Sequence, residues 1–273
     1  MAIIAVSEQL GSRGVDLGRL AAKLLDYRFL SGEDLIAQAS SIYHVTTDQL
    51  LVIDVRQPYF WSRLKTESVR FISFFRATLL REMAADRLVV VGRSPAVYLP
   101  PFGCGIKVRT VGPFEERARL VGEMEKLSAV AAQRRVRDHD SEVRARVQAL
   151  TGIDIEDPAF YDVVINCYGT PLEFGAAALA AYAERIDAQA RPEQWQGMRD
   201  AAIAAQVRAA CHAHPKLGHA PIEVECSAGA VQVRGPGLVP PWDELAKQVA
   251  SQVEGVRSVE VEGEETPISV RSF

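Results

Sequence analysis

No apolar run in this 273-residue chain approaches 18 residues, so no segment reads as a membrane span. The first run, Ala2-Ile3-Ile4-Ala5-Val6, is too short for the apolar part of a signal peptide, and the expected location is the cytoplasm. Cysteine is scarce. Cys104, Cys167, Cys211 and Cys226 stand far apart with no C-x-x-C pair, which leaves metal and thiol redox chemistry unsupported. They read as small buried apolar residues in a reducing compartment. There is no excess of positive charge either: the net charge of −4 argues against nucleic acid as a partner of the whole molecule. What is present in quantity is core, with 48% hydrophobic and 24% charged residues in a chain longer than one usual domain. One large unit plus a small one is the expectation.

The chain is organised around residues 2 to 25. The apolar run enters the turn Gly11-Ser12-Arg13-Gly14, after which Leu17, Leu20, Ala21, Leu24 and Leu25 recur at helical spacing. Strand, glycine loop and helix in that order can cradle a phosphate, because glycine lets backbone N–H groups close on the anion and the helix N-terminus adds partial positive charge. Gly11, Ser12 and Gly14 are the candidate phosphate-binding residues. The full phosphate loop reads G-x-x-x-x-G-K-[ST], and here the lysine slot holds Gly14, followed by Val15 and Asp16. A tight strand-to-helix turn without a ligand is the competing reading.

Further along, Tyr27 to Leu30 reads as a short strand and Leu35 to Ser40 as a helix opened by Ser31-Gly32-Glu33-Asp34. Residues 43 to 65 are less regular. Their aromatics Tyr59, Phe60 and Trp61, beside Arg63, suit packing better than base stacking. A helix over Glu67 to Asp86 delivers the chain to Leu88-Val89-Val90-Val91, a strand covered on both faces. Arg93 follows at its carboxyl end, where ligands of open α/β sheets bind, and is either a phosphate clamp or a surface arginine. After the strand Ile106 to Val111, a helical pattern runs from Phe114 to about Leu150. It carries Arg134, Arg135, Arg137, Arg144 and Arg146, which make either a lid over phosphates or a solvated face. Tyr161 to Asn166 is a further buried strand and Pro171 to Ala190 a further helix. The alternation argues for a parallel sheet wrapped by helices. The composition changes after Ile186: a helix over Pro192 to Ala213, strands at 222–226 and 230–234, a helix at 241–253 and a strand at 258–262 describe a separate α+β unit. His212, His214 and His219 lack ligand-spaced carboxylates or cysteines and read as loop residues.

Taken in order, Ser7, Gly11-Ser12-x-Gly14, Gly92-Arg93, Lys107-Val108-Arg109, Glu116-Arg117, Asp140, Gly152, Asp154, Asp157-Pro158 and Tyr161 to Asn166 resemble the cytidylate kinase-like family, relatives of the nucleoside monophosphate kinases. The tail, with Ile203, Val207, Pro215, Ile222, Val224, Gly229, Val231, Gly235, Ala250, Gly255-Val256 and Val259 in register, resembles a BON domain. The resemblance implies an α/β fold, a P-loop kinase-like parallel sheet with helices on both faces, plus a small C-terminal α+β (BON-like) domain. The expected division is a kinase-like domain over 1–187, a linker over 188–197, a BON-like domain over 198–263 and a tail over 264–273. It further implies ATP-dependent phosphoryl transfer to a nucleoside monophosphate such as CMP, with ATP and Mg²⁺ as cofactors if the protein is active. Relatives usually carry a glycine where Arg13 stands, an arginine where Val15 stands, and arginines where Val143 and Gln148 stand.

Two readings follow. In the first, Arg13, Arg137 and Arg144 are catalytic cations, Gly11, Ser12 and Gly14 hold phosphates and Arg93 holds the acceptor. In the second, the cation deficit makes a degenerate kinase-fold protein that senses a nucleotide or serves as an assembly or regulatory subunit. In either, the acidic BON-like tail is expected to dock a protein partner in preference to a membrane, and no resident metal site is expected.

Overall fold

The structure, a computed structural model, describes residues 2–54, 61–218 and 221–264. Tyr59 and Phe60 of the aromatic cluster, His219 and most of the tail lie outside the described residues, as do the side chains of Trp61 and Arg63. Packing divides the described chain into two compact units, one from 2–38 and 85–195, the other from 39–53, 61–84 and 196–264. Chain order alone does not mark this division, because the helix Trp61–Ala84 packs with the second unit.

The first unit is a five-stranded parallel sheet. Its strands are β1 (Ile3–Glu8), β2 (Arg28–Ser31), β3 (Leu88–Gly92), β4 (Gly105–Val111) and β5 (Val163–Asn166), in the order β2-β3-β1-β4-β5. β1 is central, and Ile3 to Val6 and Leu88 to Val91 have no exposed surface. Continuous apolar runs of this kind form strands buried on both faces, as the sequence predicts. On one face Ile4, Val6, Val89, Val91, Ile106 and Val108 pack against α1 (Gly14–Leu25) and, later in the chain, a helix over Leu172–Gln189. α1 lies close to β3, because a Cβ on Gly18 would stand 2.4 Å from Val91 Cγ2.

α2 (Gly32–Tyr43), α3 (Thr47–Asp54) and α4 (Trp61–Ala84) follow β2, so the irregular stretch is more helical than its sequence suggests. A short α5 (Pro95–Tyr98) follows β3. The single pattern expected from Phe114 to Leu150 is two helices, α6 (Phe114–Glu125) and α7 (Ala129–Thr151). Lys126 adopts a left-handed conformation at φ 54°, and the Ser128 side chain then accepts the N–H of Ala131 as the cap of α7. α8 (Leu172–Gln189) completes the unit, and the Tyr27 hydroxyl donates to Asp187 at 2.7 Å.

The second unit contains α9 (Pro192–Ala213, from residue 196), β6 (Glu223–Ser227), β7 (Ala230–Pro236), α10 (Trp242–Ser251) and β8 (Ser258–Glu264). β6 and β7 are antiparallel, whereas β7 and β8 are parallel. Val207, Cys211, Val224, Val231, Val233, Ala246 and Ala250 form its core. Asp200 accepts from the backbone N–H groups of Ala228 and Gly229, fixing the β6–β7 turn to α9. His212 is buried with Nδ1 2.9 Å from Ser73 Oγ, and His214 Nδ1 accepts from Lys216, so both histidines have structural partners.

Gly18→Val inserts branched carbon into a space that already excludes one Cβ. The expected result is a loss of at least about 2 kcal/mol in urea unfolding, from overpacking of α1 against β3.

Candidate functional site

The site is built where the carboxyl ends of β1, β3 and β4 meet the start of α1. Side chains alternate along β1, so Ser7 faces one side of the sheet and Glu8 the side that carries α1. Gly11 turns the chain at φ +76°, and Arg13 follows at φ 63° before α1 begins. Gly11 cannot be exchanged lightly: a Cβ there would stand 2.7 Å from the carbonyl oxygen of Arg117. Two later residues hold the loop by its carbonyls. Arg117 Nη1 donates to Leu10 at 3.1 Å, and the Tyr168 hydroxyl donates to Gly11 at 2.8 Å.

Arg13 provides no side-chain cap for α1. The cap comes from Glu8. Its carboxylate accepts the backbone N–H groups of Val15 and Gly14, with one oxygen 2.7 Å from where a Gly14 Cβ would lie. Thr110 Oγ1 would lie 2.6 Å from the same point. This geometry explains the missing lysine, since no side chain fits at residue 14 in this arrangement. It also means that the protein's own carboxylate takes two amides that a phosphate would use. Burial pushes the Glu8 carboxyl up to about 7; the Val15 amide and the charge of Arg93 pull it down, Asp16 pushes it up, and the Gly14 amide lowers it.

The structure distributes the other candidates as follows. Ser12 is fully buried, its hydroxyl 2.9 Å from that of Thr110, and is thereby engaged inside the protein. Arg13 stands beside the loop and reaches Asp16 at 3.4 Å in an exposed pair, which contributes little to stability. Arg93 follows β3, close enough for its charge to act on Glu8. Arg137 and Arg144 are on the exposed side of α7. Arg137 lies over the Phe114 ring at 5.4 Å, and Arg144 makes a two-pronged pair with Asp154 at 3.1 and 2.6 Å. The loop therefore brings together Gly11, Gly14, Arg13 and Arg93, while the arginines of α7 are engaged elsewhere.

The buried cations of the site are two arginines whose residues figured only in the family resemblance. Arg117 is 5% exposed and donates to Gly112, Leu10 and Asp140 Oδ2, the last at 2.8 Å. Arg109, also 5% exposed, pairs with Glu156 at 2.6 Å on the opposite face of the sheet. Glu8 has no motif in the sequence to announce it. Its one available signal is the alternation of β1, which places the last strand residue under the start of α1.

ATP with Mg²⁺ can be tested against these groups. The amides fit a phosphate only when Glu8 leaves them, whereas the Ser12 hydroxyl keeps a lone pair beside its bond to Thr110. As arranged, the cradle is complete without a ligand.

A carboxyl raised from 4.5 to about 7 in the folded protein binds its proton more tightly than in the unfolded chain. Its contribution to stability is therefore full below about pH 4.5 and is lost as the pH rises through about 7. Glu8→Gln should remove on the order of 1–2 kcal/mol of this pH dependence, after discount for the part of the carboxyl that water reaches. Urea melts of both proteins between pH 5 and 8.5 check it; parallel profiles would contradict the assignment.

Comparison with known proteins adds the lineage. The sequence model of the cytidylate kinase-like family matches residues 3–168, more than half of the chain. No curated protein matches the sequence. Among solved structures, an uncharacterized protein from Eubacterium ventriosum is similar at TM-score 0.51 and 16% identity, over 67% of this chain and 99% of that one. A shikimate kinase from Bacteroides thetaiotaomicron is similar at TM-score 0.45 and 13% identity, over 67% of this chain and 98% of that one. At such identities the likeness speaks for the fold alone. With its glycine loop, parallel sheet and the match over residues 3–168, this chain belongs to the cytidylate kinase-like family.

Proposed function

We propose that this protein is a nucleotide-binding member of the kinase fold that responds to nucleotide more than it turns it over. The observation that carries this reading is the Glu8 carboxylate on the amides of Gly14 and Val15. A nucleotide phosphate must displace that carboxylate, so binding moves Glu8 and loosens the cap of α1. Movement of this kind is what a sensor or regulatory subunit requires. Arg93 and Arg13, both beside the loop, are the side chains that would hold the incoming phosphates. Phosphoryl transfer depends on cations around the moving group, and those of α7 are paired or exposed. The second unit, read as a BON-like module, would pass the response to a protein partner through its small sheet and helices. Among the described residues no helix is long and apolar enough to cross a membrane.

The second reading is the family-level activity, ATP- and Mg²⁺-dependent phosphoryl transfer to a nucleoside monophosphate such as CMP. It is favoured by the position of Arg93 at the carboxyl end of β3, next to the loop. In that reading Arg13, Arg137 and Arg144 turn inward on closure and Glu8 withdraws.

Calorimetry with ADP separates these readings from a scaffold without ligand. Wild-type protein should bind more tightly at pH 6 than at pH 8, because a neutral Glu8 competes less for the amides. Glu8→Gln should bind at least about tenfold more tightly at pH 8, with the pH dependence reduced to that of the nucleotide itself. No binding to either protein would end the nucleotide reading. ADP release above background with ATP, magnesium and CMP would instead select the kinase.

A further inference from the structure

The inward stripe of α7 consists of Ala132, Val136, His139, Val143 and Val147. Four of these are apolar, and the histidine stands in the middle. Val136 belongs to a cluster with Ala118, Val121, Leu10 and Phe114. Val143 and Val147 belong to another with Ile155, Val97 and Ile153. Leu10 lies in the loop after β1 and Val97 in α5 after β3, so His139 falls between the clusters that these two segments join. Its neighbour Asp140 is bonded to Arg117, which in turn holds the Leu10 carbonyl.

His139 is 5% exposed, and among the described residues neither Nδ1 nor Nε2 has a hydrogen-bond partner. The nearest carboxylate oxygen, Asp140 Oδ1, is 3.8 Å from Nδ1, too far for a hydrogen bond. A buried imidazole with both nitrogens unsatisfied is a penalty that leucine or methionine would avoid at this position. Among the described residues no polar atom lies within hydrogen-bond distance of the ring, and the Asp140 carboxylate is its one charged neighbour.

We infer that His139 is a ligand-contacting residue: its ring N–H donates to a phosphate oxygen of a nucleotide held at Gly11 to Gly14 beneath α7. This rests on the nucleotide reading above and adds the side chain that senses occupancy. The covering helix would then be bound to the ligand through one donor, in the region where the loop itself carries no lysine. The role is one of holding the phosphate, with no proton transferred.

The test uses the full chain and ADP as the probe. His139→Leu should melt no lower than the wild type, because it removes unsatisfied polar atoms from an apolar stripe, yet it should bind ADP at least tenfold more weakly. His139→Gln, which keeps a donor, should recover part of that loss. In wild-type protein the ring nitrogen resonances of His139 should shift on addition of ADP and remain unchanged with adenosine. A markedly lower melting temperature for both variants would show that the ring has a partner inside the protein and would overturn the inference. Equal ADP affinity of His139→Leu and wild type would also overturn it while leaving the nucleotide reading intact. If neither wild type nor Glu8→Gln binds ADP, the nucleotide reading falls first and the inference with it.

Discussion

A helix that starts in a tight glycine turn leaves several amide hydrogens without partners, and something negative must meet them. In this protein that group is the carboxylate of Glu8, folded back from the last residue of β1 onto Gly14 and Val15. The neighbourhood is shaped to this contact. Residue 14 has no side chain because Glu8 and Thr110 fill the space, and Thr110 in turn meets the buried Ser12. The result is a loop that is stable without ligand, at the expense of holding a charge where water is partly excluded. The raised pKa of Glu8 records that compromise.

The same loop is fixed from its outer side by Arg117. This guanidinium is nearly buried and bonded to two backbone carbonyls and Asp140, so loss of the Asp140 carboxylate would leave it without its counter-charge. Because Asp140 belongs to α7, the pair also joins the covering helix to the loop. The tie links α6, α7 and the loop through one guanidinium, which bonds both the Leu10 carbonyl and Asp140. Tyr168, after β5, adds a third point of attachment at the Gly11 carbonyl. The loop is thus held on its carbonyl side by groups from two different segments, which leaves its amide side as the part free to exchange partners.

Much of the architecture was legible in the chain because its physical signals are local. Continuous apolar runs at 3–6 and 88–91 mark buried parallel strands, and the change of pattern after residue 186 marks an α+β segment, but no local signal assigns residues 39–53 and 61–84 to the unit that contains it. The break between α6 and α7 was less visible, because Glu125-Lys126-Leu127-Ser128 contains neither glycine nor proline; only the serine cap hints at it. The candidate site was legible as a place and less so as a set of side chains. Arg134 to Arg146 stand out by charge, yet helical geometry turns Arg137 and Arg144 outward. His139 stands on an apolar stripe, where a single histidine usually signals only a satisfied core residue. Glu8 depends on a contact with a backbone six and seven residues away, which no residue pattern encodes.

The division between sensing and turnover is finally a question of electrostatics. A phosphoryl transfer site must offer net positive charge to the moving group, and the loop offers Arg13 and Arg93 against Glu8 and Asp16. With Glu8 ionised, two cations face two carboxylates, and the local balance gives no advantage to a polyphosphate. With Glu8 protonated or displaced, one carboxylate is removed and the amides of Gly14 and Val15 return, so the loop changes from neutral to attractive in a single step. The ligand that drives this step must itself be strongly anionic, because only a competitor for the amides can unseat a carboxylate that the fold already holds in place. On the proposed reading, a site with that property would discriminate between nucleotide states by charge before any chemistry, and this favours response to binding over turnover.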